Sequence, residues 1–133
     1  ALAVARQNAE RHGVAGRVTF YQGSLVEPVP FAPELIVANL PYISDEEWTT
    51  LDDGVKSYEP AGALRGGPDG LVVIRALLEE AAAKVTPAGA LFLEIGWRQG
   101  EAASALACSI FPEARVRVRP DYAGHDRILM VET

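Results

Sequence analysis

Cysteine is almost absent from this chain. Cys108 is the only one in 133 residues, so no intrachain disulfide and no cysteine metal cluster can form. Long hydrophobic runs are also missing. No unbroken apolar stretch approaches the roughly 20 residues of a membrane span, and the N-terminal residues carry no charged-then-apolar leader. Positive charge is scarce, with 12 Lys and Arg against 18 Asp and Glu and a net charge of −6. Nucleic-acid binders usually carry a basic surface, because phosphate contacts supply much of their affinity. His12 and His125 are isolated from each other and from any Asp/Glu cluster at ligand spacing, so no metal is expected. Ser24 and Ser104 lack the glycine context of a nucleophile elbow, which argues against hydrolase chemistry. No G-x-G motif occurs anywhere. Gly66 and Gly67 are not followed by the Lys-Ser/Thr of a phosphate loop, so they read as backbone turns rather than a nucleotide cradle.

What is present describes an ordinary globular chain. Hydrophobic residues make up 49% and charged residues 23%, enough for one domain with a real core. No internal repeat or low-complexity segment interrupts it. A cytoplasmic address is the default expectation, with no membrane attachment.

Read in order, residues 1–12 suggest a helix, with Leu2, Ala5 and Ala9 on one face and Gly13 as its stop. No capping residue precedes it. Residues 18–22, Val-Thr-Phe-Tyr-Gln, are β-branched and aromatic and predict a strand. Three prolines in residues 27–33 mark a loop. Residues 35–38 predict a second strand whose lack of alternation suits burial on both faces, as in a parallel sheet. Ser44 and Glu47 fit a capping box for a short helix through Trp48 and Leu51. Residues 52–70 read as a loop of the length used for lids or binding loops. Leu71, Ile74, Leu78 and Ala81 keep helical register, and Pro87 and Gly89 end that helix. Residues 90–95 predict a third buried strand and residues 99–111 an alanine-rich helix. Arg115, Arg117 and Arg119 alternate along a fourth strand and read as its solvated face. A turn with Gly124 leads to a last strand, residues 128–132, antiparallel to the fourth. Alternating helices and buried strands closed by a hairpin predict an α/β sheet with helices on both faces. Right-handed crossovers then set Asn39 and Gly96 along one edge.

The stretch that stands out is residues 34–43, Glu-Leu-Ile-Val-Ala-Asn-Leu-Pro-Tyr-Ile. An apolar run stops at Asn39 and continues into Leu40, Pro41 and Tyr42. In an open α/β sheet, ligands bind just beyond the carboxyl ends of the strands. An amide, a proline and an aromatic ring at such an end suit a site better than a packing position, although Asn and Pro also serve as plain turn residues.

Asn39-Leu40-Pro41-Tyr42 resembles the Asn-Pro-Pro-Tyr signature of class I S-adenosylmethionine-dependent methyltransferases that modify planar nitrogens. Further segments narrow the resemblance to the HemK/PrmC family, the glutamine-N5 methyltransferases of peptide-chain release factors. These are Glu59-Pro60 with Ala63-Leu64, residues 66–71 (Gly-Gly-Pro-Asp-Gly-Leu), residues 93–100 (Leu-Glu-Ile-Gly-Trp-Arg-Gln-Gly) and residues 121–127 (Asp-Tyr-Ala-Gly-His-Asp-Arg). The likeness covers essentially the whole chain. It implies S-adenosyl-L-methionine as cofactor, a release factor as protein partner, and methylation of a glutamine side-chain amide. It assigns catalysis to Asn39, Pro41 and Tyr42, and substrate contacts to Asn39, Leu40, Pro41, Tyr42 and Glu59. Cofactor contacts fall to Asn39, Ser24 and Leu25.

The chain departs from the family pattern in three places. Leu40 replaces the first proline, a position that contributes mainly its carbonyl. Ser24 and Leu25 stand where relatives carry an acidic residue near the cofactor's adenine. The strand and glycine-rich turn that receive the cofactor, and the second strand that follows, have no counterpart. The expectation is therefore a Rossmann-like class I methyltransferase sheet with a C-terminal antiparallel hairpin, lacking the first two strands, so that residues 1–133 form part of a catalytic domain. The first strand here would pair with the second or leave an open edge. Alternatives in function are a ribosomal-protein glutamine methyltransferase, a nucleic-acid N-methyltransferase, or a non-catalytic piece. Trp97 reads as packing at a strand end.

Overall fold

In a computed structural model that describes all 133 residues, the chain's internal contacts fall into two units, residues 1–30 and residues 31–133. The first unit carries α1 (Leu2–Arg11) and a short 3-10 turn (Ala15–Arg17). No side chain caps the start of α1. At its other end Gly13 adopts φ +67°. The N–H of Gly13 bonds the Glu10 carbonyl, and that of Val14 bonds the Ala9 carbonyl, at 3.0 and 2.9 Å. These are the paired bonds of a glycine-terminated helix.

Residues 18–22 form no strand and join neither sheet of the protein. The β-branched pattern was right about propensity, but a strand exists only through a ladder to a neighbour, and propensity is the weaker influence. The segment thus does not pair with the strand at residues 35–39.

The second unit holds β1 (Leu35–Asn39), β2 (Ile43–Ser44), α2 (Asp45–Thr50), α3 (Asp53–Tyr58), α4 (Ala61–Leu64), β3 (Arg65–Gly67), α5 (Val72–Ala82), β4 (Ala90–Glu94), α6 (Gly100–Ile110), β5 (Arg115–Pro120) and β6 (Asp126–Glu132). The main sheet has the order β1-β4-β6-β5. β1 and β4 run parallel, with Asn39 opposite Glu94. β6 is antiparallel to both β4 and β5, so the C-terminal hairpin forms as expected. A second, two-stranded parallel ladder joins β2 to β3.

The core lies on one face of the main sheet. Leu91, Leu93, Leu129 and Val131 are fully buried there, together with Ile74 and Leu78 of α5 and Ala103 and Ala107 of α6. α5 and α6 pack on each other, and α6 packs on β5 and β6. Within residues 31–133 both long helices serve the same face; the remaining long helix, α1, belongs to residues 1–30. The opposite face carries Phe92 and Met130, half-buried, and the arginines of β5. β1 departs from expectation for the same reason. Ile36 is 7% exposed, but Leu35 and Val37 are 56% and 74% exposed. Neither long helix of residues 31–133 covers the face of Leu35 and Val37, so an unbroken apolar run does not mean burial on both.

Local signals held well at helix starts. Ser44 caps α2 through its hydroxyl, and the Glu47 carboxylate returns the bond to the Ser44 N–H, the reciprocal pair of a capping box. Residues 52–70, expected as loop, contain α3, α4 and β3 instead. The Asp52 carboxylate accepts the Gly54 N–H at 2.7 Å and starts α3. Glycines spread through that stretch masked elements only three to six residues long, too short to show periodicity.

Leu93→Ala is expected to cost about 2–5 kcal/mol of unfolding free energy, because it leaves a cavity in a fully packed face. Val37→Ala is expected to stay within about 0.5 kcal/mol. Urea denaturation monitored by circular dichroism checks both.

Candidate functional site

The site is built where the parallel strands end. β1 stops at Asn39, and residues 40–42 bridge from it to β2. The ladder between β2 and β3 sets Ile43 beside Arg65 and Ser44 beside Gly67, and so lays the glycine-rich segment along the bridge. This contact leaves no room for side chains. A Cβ on Gly66 would come within 2.7 Å of the Pro41 carbonyl oxygen. Gly70, at φ +73°, would drive a Cβ into the Tyr42 carbonyl oxygen and the Gln99 side-chain nitrogen. The two glycines are thus required for close approach, beyond forming a turn.

Asn39, Leu40, Pro41, Tyr42 and Glu59 line one open cavity of about 450 Å³, completed by Ile43, Val55, Ala63 and Leu64. These five residues are the substrate set expected from the sequence, and the fold brings them together. α3 and α4, which the sequence did not show, supply the far wall: Glu59 follows α3 directly, and Ala63 and Leu64 belong to α4. No cationic side chain lines this cavity, and its acidic member is Glu59. Ser24 and Leu25, the expected cofactor contacts, belong to residues 1–30, and Leu25 sits there at φ +48°.

Tyr42 is held from both ends. Its hydroxyl donates to Glu94 Oε1 at 3.0 Å, and its carbonyl accepts from Gln99 Nε2 at 2.9 Å. Burial, and next the Glu94 carboxylate, push the phenol above its ordinary value, while the nearby Arg127 guanidinium opposes them. Gln99 is 8% exposed and starts α6. Its Oε1 accepts the Gly96 N–H at 2.8 Å, and its Nε2 also reaches the Asp69 carbonyl at 3.3 Å. One side chain thereby ties the end of β4, the bridge and the glycine-rich segment. Asp69 in turn accepts the Leu71 N–H at 2.9 Å, just ahead of α5.

A second cavity of about 310 Å³ lies beside Tyr42, lined also by Leu51, Asp52, Gly96, Trp97 and Arg127. Trp97, expected to pack at a strand end, follows the end of β4. It is 48% exposed, with the Arg98 guanidinium 4.3 Å above its ring and the His125 ring 5.6 Å away. The turn before β6 is organised by Asp121, whose Oδ1 accepts the N–H groups of Ala123 and His125 at 2.9 and 3.1 Å. The His125 N–H above all, then those of Ala123 and the Arg127 guanidinium, hold its carboxyl below the usual range. Arg127 spans from Asp121 to the Ile95 carbonyl, at 3.5 and 3.3 Å. On β5, Arg117 is engaged by Glu132 at 2.6 Å, in keeping with a solvated strand face. No group of three His, Cys, Asp or Glu lies close enough to hold a metal ion.

Sequence reasoning had missed Glu94, Gln99 and Arg127. All three lie in residues 93–100 and 121–127, segments that carry the family resemblance, which was the available signal.

No protein-family model matches the chain. Curated relatives do. The chain is 44% identical over 131 residues to a release factor glutamine methyltransferase of Moorella thermoacetica, covering 98% of this chain and 46% of that protein. It is 40% identical over 136 residues to the one of Thermosynechococcus vestitus, covering 100% and 47%. The Enterococcus faecalis protein of the same name is 35% identical over 133 residues, covering 99% and 47%. The chain thus spans about half the length of the curated relatives it matches. Among solved structures, TrmN from Thermus thermophilus superposes with a TM-score of 0.58 at 19% identity, covering 99% of this chain and 33% of that one. An O-methyltransferase family protein from Burkholderia thailandensis gives 0.58 at 14%, covering 96% and 39%. The fold is therefore that of a class I methyltransferase sheet with the C-terminal hairpin. No helix is long and apolar enough to cross a membrane.

Because folding raises the Tyr42 phenol above 10.0, its stabilising effect is complete below that pH and is lost as pH rises through the folded-state value. As pH rises above 10.0, denaturation midpoints are expected to fall more steeply for the native sequence than for Tyr42→Phe.

Proposed function

We propose, from the premise that this chain belongs to the HemK/PrmC family of release factor glutamine methyltransferases, that the protein methylates a glutamine side-chain amide nitrogen in a peptide-chain release factor. Residues 31–133 supply the half of the centre that holds the amide. The observation that carries this reading is the shared cavity of Asn39, Leu40, Pro41, Tyr42 and Glu59.

The chemistry follows from the acceptors. An amide nitrogen is a poor nucleophile, because its lone pair is delocalised into the carbonyl. Its two hydrogens need two acceptors, and the Asn39 side-chain oxygen and the Leu40 backbone carbonyl provide them. Both also stabilise the positive charge that grows on nitrogen as its lone pair is used. Pro41 restricts the backbone that aims the Leu40 carbonyl. Tyr42 offers a flat face to the planar amide. Glu59 borders the cavity and completes its acidic, cation-free lining. No strong base is needed before transfer: the nitrogen–methyl bond forms as the sulfur–methyl bond breaks, and the nitrogen then loses one proton to water. Positioning of this kind is worth about 7–11 kcal/mol in favourable cases.

S-adenosyl-L-methionine, when bound, supplies the electrophilic methyl group on a positively charged sulfur. A cavity lined by an amide and a carboxylate, with no cationic side chain, suits such a group. The resemblance gives Asn39 both roles. Ser24 and Leu25 remain its other contacts by resemblance. A nucleic-acid substrate is less well supported, given the net charge of −6 and the engagement of Arg117 by Glu132.

Asn39→Ala is expected to lower methyl transfer to a release factor by about 100-fold or more, the scale of removing one preorganised polar group from a reacting centre. Transfer is read by mass spectrometry of the release factor after incubation with S-adenosyl-L-methionine. Unchanged transfer, or none by the protein at its natural length, rejects the reading.

A further inference from the structure

We infer that Gln99, which stands outside the Asn39-Leu40-Pro41-Tyr42 stretch, is a positioning residue for it, aiming the Leu40 carbonyl by fixing the carbonyl of Tyr42. This deepens the proposed methyltransferase reading and rests on it.

Residues 40–42 lie between the last rung of β1, Asn39 with Glu94, and the first of β2, Ile43 with Arg65. Ladder pairing stops on either side of them, so their placement depends on other bonds. Tyr42 has two. The Glu94 carboxylate takes its hydroxyl at 3.0 Å, and the Gln99 amide gives its carbonyl a hydrogen at 2.9 Å. The hydroxyl bond orients the ring, and the carbonyl bond orients the backbone. Pro41 has its φ locked by its ring, which leaves fewer free torsions to absorb a shift at Tyr42 before it reaches the Leu40 carbonyl.

The surroundings of Gln99 specify an amide and no other group. Its oxygen meets an N–H, that of Gly96, at 2.8 Å. Its nitrogen meets two carbonyl oxygens, those of Tyr42 and Asp69, at 2.9 and 3.3 Å. Two donors and one acceptor are all used, which also settles which way the amide faces. A carboxylate would keep the Gly96 bond and turn both donations into repulsions. An ammonium would lose the Gly96 bond. At 8% exposure, water replaces none of these bonds at low cost.

The test uses Gln99→Glu in the protein at its natural length, with a release factor and S-adenosyl-L-methionine. At neutral pH kcat falls by about 100-fold, the scale of a small misplacement at a reacting centre, with little change in KM for the release factor. On acidification the introduced carboxyl takes up a proton, donates to the Tyr42 carbonyl, and kcat rises towards that of the native sequence. Gln99→Asn is one methylene shorter, reaches less far and has nothing to titrate, so its kcat is low at every pH. It serves also if Gln99→Glu does not fold. A kcat for either variant equal to that of the native sequence overturns the inference, as does a Gln99→Glu deficit that acid does not relieve. If the native sequence transfers no methyl group, the methyltransferase reading fails by itself. The inference is then judged by the Tyr42 carbonyl ¹³C signal. The signal moves in Gln99→Glu at neutral pH and returns on acidification; a signal that stays put overturns it.

Discussion

A nearly buried side-chain amide, Gln99, holds three chain segments in place by three hydrogen bonds: the end of β4 through Gly96, the bridge after β1 through Tyr42, and the glycine-rich segment through Asp69. Parallel strands deliver their carboxyl ends to one edge of the sheet, but they do not determine what the chain does after it leaves the ladder. Here the Gln99 amide bonds all three segments beyond the ladder. The glycines follow from the same constraint, since Gly66 and Gly70 exist so that backbone can lie against backbone beside the Pro41 and Tyr42 carbonyls.

A second set of polar contacts reinforces the first. Glu94 ends β4 opposite Asn39 and receives the Tyr42 hydroxyl. Arg127 enters β6 and spans from the Ile95 carbonyl to Asp121, whose carboxylate organises the turn before that strand. The antiparallel hairpin therefore has a part in the site as well as in the core. Its β6 strand buries Leu129 and Val131, while the turn ahead of it brings His125 to Trp97 beside the second cavity.

Much of this was readable in the sequence, and the gaps have physical causes. The capping box at Ser44 and Glu47, the α5 register of Ile74, Leu78 and Ala81, and the hairpin are local patterns, and local patterns were reliable. The strand expected at residues 18–22 failed because a ladder is a relation between two segments, which the composition of one segment does not determine. The apolar run of β1 misled about burial, because within residues 31–133 both long helices cover the same face of the sheet. α3 and α4 hid among glycines and a proline, being too short to carry a period. The candidate site was legible at Asn39, Leu40, Pro41, Tyr42 and Glu59. Gln99 and Glu94 were not, because partners 57 and 52 residues away in the chain leave no spacing signal.

The central claim is that the stretch after β1 grips an amide with paired acceptors. A structure of the protein at its natural length with S-adenosyl-L-homocysteine and a glutamine-bearing release-factor peptide tests it most directly. The account predicts the glutamine side-chain nitrogen within about 3 Å of both the Asn39 side-chain oxygen and the Leu40 carbonyl oxygen, with the Tyr42 ring against the amide plane. A glutamine bound elsewhere, or one whose nitrogen meets neither acceptor, would contradict it.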